Sequence, residues 1–254
     1  MPSGKRRTKR SVVTVTKPRP WGTLLAVLAV LTFAGGTFGY VYLQYEQGRA
    51  QRAAVAPFTP SEQNQDPSRQ INGVVETSSE AASHVSPEQR VAYEQSPPSG
   101  GPHDGIWADC TGTVYESAVR TENMVHPLEH GAMWISYDPE RISGDGLRAL
   151  EDRVRDRDYT MLSPYPGQDA PVSLQSWEHQ LKVDGPGDPR IDQFIRALRL
   201  NQYTYPEVGA TCEPRGGAFG VQQPPPFDPA PPGPDAIPVD APDDRDPSGT
   251  GGGG

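Results

Sequence analysis

From Pro20 to Leu43 the chain reads PWGTLLAVLAVLTFAGGTFGYVYL, without one charged side chain. At about 1.5 Å per residue, a helix of that length crosses the roughly 30 Å hydrocarbon core of a bilayer. Trp21 stands at one end and Tyr40, Tyr42 and Tyr45 at the other, where interfacial aromatics belong. Residues 1–20 carry Lys5, Arg6, Arg7, Lys9, Arg10, Lys17 and Arg19 and no acid. The positive-inside rule keeps such a head in the cytoplasm and exports everything after Gln44. A cleaved signal peptide would have a shorter apolar region, about 7–15 residues, ending at a small-x-small site. Here the apolar run continues past Gly35, Gly36 and Gly39, which favours an uncleaved anchor. Gly35 and Gly39 form a GxxxG pair, a pattern that also occurs without a partner helix.

The charge is divided. The whole chain is −9, and a basic head of +7 leaves −16 on the remainder. An acidic body repels phosphate, so the chain is not a general nucleic-acid binder. Only 34% of its residues are hydrophobic, against 29 Pro and 27 Gly. Much of the length therefore lacks the apolar surface that ordering requires. The expected organisation is a basic head (1–20), a transmembrane helix (21–43), a disordered linker (44–90), an extracytoplasmic domain (91–215) and a disordered tail (216–254). The tail is rich in Pro, Gly and Asp, with six Asp against Arg245, and is expected to stay extended. His84, in the linker, reads as a solvated side chain.

Within the domain, Ala132–Tyr137 alternates. Met133, Ile135 and Tyr137 face one way; Ala132, Trp134 and Ser136 face the other. A helix over 145–157 follows, with Leu147, Leu150 and Val154 on one face. Strands are expected over 159–162 and 172–177, and a second helix over 190–203 with Ile191, Phe194, Ile195 and Leu198 inward. This order predicts a small α+β domain, helices packed on a mixed or antiparallel sheet, behind a single transmembrane helix.

Cys110 and Cys212 are the chain's two cysteines. In an exported domain they predict one disulfide. The rival, metal ligation, has no CxxC or CxxH spacing behind it. Histidine carries the other chemistry. His126-Pro127-Leu128-Glu129-His130 matches H-x-x-E-H, the inverted zinc-peptidase pattern. Such enzymes place it on a long helix, and Pro127, Gly131 and the strand that follows leave room for about one turn. A metal hydrolase is thus the least supported reading. A non-catalytic site is better supported: His103, His126 and His130, with Glu129, supply ligands suited to zinc or copper. Met124 and Met133 flank the turn, and thioethers would select Cu(I), although Met133 has a packing role on its strand. The competing reading makes the histidines structural, bonded to backbone carbonyls, and the domain an accessory subunit docking on an envelope protein partner. His179 reads as surface or structural.

Tyr93 with Pro97-Pro98-Ser99-Gly100 and His103, Val125-His126 through Leu128-Glu129-His130-Gly131, Ile135-Ser136-Tyr137, Leu162-Ser163-Pro164-Tyr165, Ala170 to Trp177, and Cys212 carry a resemblance. Together they resemble the family catalogued as domain of unknown function 3105, found mainly in actinobacterial membrane-anchored proteins. The likeness covers roughly 91–214; Asp109-Cys110-Thr111-Gly112 departs from the family's more compact Cys-Gly pattern. The resemblance implies an exported, plasma-membrane-anchored domain and brings no established activity. It also implies a neighbourhood of His/Met-rich copper-associated proteins, which leans towards the metal reading.

Overall fold

The structure is a computed structural model describing residues 20–78 and 83–240. The basic head, apart from Pro20, and the glycine-rich end of the tail lie outside the described residues. The chain divides into two units, residues 1–52 and 53–254. From Trp21 onward the first lies in helix α1, Trp21–Val55, which has no buried residue. It is the one described helix long and apolar enough to cross a membrane, by length and composition. α1 outlasts the apolar run because the residues after Leu43 (Gln, Glu, Arg and Ala) are good helix formers. A Cβ added at Gly35 or Gly39 would meet nothing within 4 Å.

The second unit is built on a six-stranded mixed sheet. Its strands are β1 (Val74–Glu76), β5 (Thr111–Val114), β6 (Met133–Tyr137), β7 (Thr160–Pro164), β8 (Val172–Ser176) and β9 (His179–Val183), in the order β1-β9-β8-β6-β7-β5. β6 runs parallel to β7 and antiparallel to β8; β7 runs parallel to β5. Two short parallel pairs lie outside the sheet. β2 (His84–Val85) pairs with β4 (His103–Asp104), and β3 (Val91–Ala92) with β10 (Ile237–Pro238).

Every residue of β6 is buried, because helices cover both faces. Met133, Ile135 and Tyr137 pack with Leu150 and Val154 of α3 (Gly144–Val154) and with Ile191, Phe194, Ala197 and Leu198 of α4 (Arg190–Leu198). Ala132 and Trp134 face the other layer, where α2 (Thr121–Glu129) supplies Met124, Val125 and Leu128. The alternation read from the sequence is therefore the division between two cores, and the class is α+β.

Three segments differ from expectation. α2 stands where about one turn was expected. β1 falls in the stretch read as linker, and Ile71 just before it is buried in the α3–α4 core. The first half of the tail returns across the domain. Arg120 N–H donates to the Pro225 carbonyl, Phe227 N–H to that of Ala118 and Ile237 N–H to that of Arg90. The Arg90 guanidinium also grips the Asp228 carboxylate and the Ala230 carbonyl. Backbone hydrogen bonds and one arginine hold a sequence too poor in apolar residues to fold by itself. Cys110 and Cys212 are joined in a disulfide, Cα atoms 4.9 Å apart.

Candidate metal centre

α2 owes its reach to an unusual interior residue. Pro127 has no N–H, so the Asn123 carbonyl one turn earlier lacks its helical donor. Ala108 N–H takes that place at 2.9 Å. The bond docks the segment bearing Trp107 against the helix, with the indole 5.2 Å from the His126 ring and 5.0 Å from the His130 ring. At the far end Gly131 N–H bonds the Leu128 carbonyl and Ala132 N–H bonds the Pro127 carbonyl. This is a Schellman ending, which requires the left-handed φ of +87° that Gly131 has.

His126 and His130, four apart, emerge on one side of the helix with ring centroids 4.8 Å apart. His103 arrives from β4, its ring 4.6 Å from that of His126. β4 pairs in parallel with β2, in a register that sets His84 beside His103. The His84 ring lies 4.9 Å from His126, nearly stacked, and 5.1 Å from His103. His84, His103, His126 and Glu129 each bring a ligand atom within 4.8 Å of the others. His84 is exposed; the other three are buried.

Two of the rings have fixed tautomers. A carbonyl can only accept, so His103 Nδ1–H donates to Gly101 O at 2.8 Å and His126 Nδ1–H to Asp104 O at 2.6 Å. In the neutral ring, each then has its lone pair on Nε2. Backbone carbonyls commonly orient metal-binding imidazoles in this way. His103 Nε2 is buried and makes no hydrogen bond, although Glu129 Oε2 lies only 3.0 Å away. The carboxylate therefore approaches off the nitrogen's own axis. Burial, and then the neighbouring His103, push the His126 ring down to about 2, against the pull of the Asp104 carbonyl. Burial also lowers His130. Both rings are thus neutral at ordinary pH, the form that binds metals.

The structure brings His103, His126 and Glu129 together in one group of potential ligands, and His84 is the fourth member of that group. His130 belongs to an adjoining group with His126 and Glu207. Neither His84 nor Glu207 carried a sequence signal, since one depends on the register of two-residue strands and the other on a loop returning to the end of α2. Met124 and Met133 are buried in opposite cores. The H-x-x-E-H residues occupy the last turn of a nine-residue helix, and Glu129 faces His103.

A third cluster, Asp66, Glu76 and His179, is already compensated. The Arg69 guanidinium contacts Glu76 at 2.8 Å and Asp66 at 3.1 Å. His179 donates Nδ1–H to the Trp177 carbonyl and sets Nε2 3.2 Å from Asp66. Burial alone would raise the Asp66 carboxyl, but hydrogen bonds from His179 and Ser68 bring it down to about 2. Burial lowers His179, and the Asp66 and Trp177 bonds more than reverse that. His179 is a structural histidine, tying the Asp66 turn to the β8–β9 hairpin.

A family model described as "Protein of unknown function (DUF3105)" matches residues 84–214, more than half of the chain. It takes in both histidine groups and both cysteines. Comparison with curated proteins finds no match, and neither does comparison with solved structures.

Proposed function

This chain belongs to the DUF3105 family, which supplies no activity, and from its own residues we propose a membrane-anchored, extracytoplasmic domain that binds one divalent transition-metal ion. His84, His103, His126 and Glu129 hold the ion, and zinc and copper(II) are the metals that three imidazoles and a carboxylate suit. The basic head sets the orientation by the positive-inside rule, and the Cys110–Cys212 disulfide suits the oxidising side of the membrane.

The observation that carries the reading is the contact between His103 Nε2 and Glu129 Oε2. Two potential ligand atoms lie 3.0 Å apart in a buried place, and the nitrogen has no hydrogen bond. A cation bound by both atoms would satisfy the nitrogen and neutralise the buried carboxylate. Ligand bonds of about 2.0–2.1 Å in a tetrahedral site put neighbouring ligand atoms about 3.3 Å apart. That spacing falls within the 4.8 Å limit that the four ligand atoms meet.

The test is metal analysis of the full chain in detergent, purified without chelators and reconstituted separately with Zn(II) and Cu(II). Wild type is expected to retain one equivalent. His103→Ala is expected to lose it. His84→Ala, at an exposed position where truncation leaves no buried cavity, is expected to weaken binding while unfolding like wild type. Wild type that retains neither ion overturns the proposal.

A further inference from the structure

His126 belongs to two groups of potential ligands. One is the inner set, in which His84 is exposed and His103 and Glu129 are buried. The other contains His130 and Glu207, again with all ligand atoms within 4.8 Å. His130 Nε2 lies 3.2 Å from Glu207 Oε2; the histidine side chain is 3% exposed and the glutamate 47%. His130 Nδ1 is buried without a hydrogen bond. The second group therefore runs from solvent at Glu207, through His130, to the buried His126 that both groups share.

His126 has one lone pair to give, since its Nδ1–H is committed to Asp104 O. It can complete one group or the other at a given moment, and not both. The two groups are also mechanically joined. Glu207 N–H donates to the Glu129 carbonyl at 3.1 Å, so the loop bearing the outer carboxylate is fastened to the residue that supplies the inner one. Five residues after Glu207, the same loop reaches Cys212 and its disulfide to Cys110.

We infer that Glu207, His130 and His126 form an outer binding set that captures a divalent transition-metal ion at the surface and passes it to the set of His84, His103, His126 and Glu129, with His126 changing partners. This inference rests on the metal-binding reading above and adds the route by which the ion enters. Glu207 supplies an exposed anionic oxygen, a ligand that exchanges water readily, and His130 supplies the imidazole that begins dehydration of the ion.

Trp107, against both His126 and His130, reports on the transfer. Stopped-flow quenching of tryptophan fluorescence by Cu(II) is measured on the full chain in detergent. Copper is the probe because it binds nitrogen and oxygen ligands most tightly of the first-row divalent ions. Wild type is expected to show a fast phase whose rate scales with copper, then a slower phase that does not. His103→Ala, which breaks only the inner set, is expected to keep the fast phase and lose the slow one. Glu207→Gln, at a half-exposed position, is expected to slow the fast phase about tenfold by removing the capturing charge. Wild type without bound copper or zinc at equilibrium overturns the metal reading itself. Wild type that loads copper while Glu207→Gln captures it at the wild-type rate overturns the outer set alone.

Discussion

Gly131→Ala tests the link between the end of α2 and the loop that carries Glu207. Gly131 has φ +87°, and an added Cβ would come 2.6 Å and 2.7 Å from two ring atoms of Tyr205. The left-handed backbone costs an L-residue roughly 1–2 kcal/mol. Overpacking a filled core costs a further 1–3 kcal/mol, approximately. Tyr205 cannot simply withdraw, because it is 9% exposed within the core that contains Leu128 and Trp134. The expected loss is therefore about 2–5 kcal/mol. Gly167 provides the control: its φ is +81°, and nothing lies within 4 Å of an added Cβ. Gly167→Ala incurs the backbone cost alone, roughly 1–2 kcal/mol. Urea unfolding of both variants and wild type, followed by tryptophan fluorescence, measures the difference. Gly131→Ala should be the more destabilised by about 1–3 kcal/mol. Equal losses in the two variants would refute the close contact with Tyr205.

Replacing both Cys110 and Cys212 by Ala opens a loop with a sequence separation of 102. In the chain-entropy model this removes about 4.7 kcal/mol, read as a lower urea midpoint. Asp66→Asn should remove a pH-dependent component of stability. The depressed Asp66 pKa contributes stability above its ordinary 3.8 that disappears as pH falls through about 2. The raised His179 pKa contributes below 6.5 and is lost as pH rises through the folded-state value. Wild type should therefore melt highest near pH 4–6, about 2 kcal/mol above Asp66→Asn, and a variant with an unchanged pH profile would refute the pairing. Arg90→Ala removes the grip on Asp228 and Ala230. Amide exchange at Phe227 and Ile237 should accelerate with no change in bound metal, and unchanged protection there would refute the strap.

How much was legible in the sequence depended on whether a segment shows water one face. α3 and α4 each bury one stripe and expose another, so their period is visible in the residues. β6 is buried throughout, yet its two faces enter different cores, and the alternation survives. α2 is buried at all nine positions, polar residues included, so no solvent-facing side sets its period. Pro127 and Gly131 then read as breakers, although one frees a carbonyl for Ala108 and the other makes the cap. β9 begins with His179 and Gln180, polar residues buried beneath earlier parts of the chain: Gln180 donates to the Pro97 carbonyl and His179 bonds Asp66. Composition alone could not show these contacts, nor the tail's attachment through its backbone.

The same distinction governs the candidate metal centre. His126, Glu129 and His130 share a helix, so their spacing can be read from the sequence. His103 stood out because a Pro/Gly-rich segment fixes its backbone. His84 and Glu207 arrive through tertiary closure, one by the pairing of β2 with β4 and the other by a hydrogen bond to the end of α2. The helix thus supplies the middle of the site, while separate surface segments supply its two ends. An ion held by His84, His103 and α2 would tie the β2–β4 pair to the helix, and one held at Glu207 would tie the disulfide-bonded loop to that helix. Because His126 can serve only one of these at a time, filling the inner group would leave the outer one short of a ligand. This coupling follows from one hydrogen bond, His126 Nδ1–H to the Asp104 carbonyl, which leaves the shared imidazole a single lone pair.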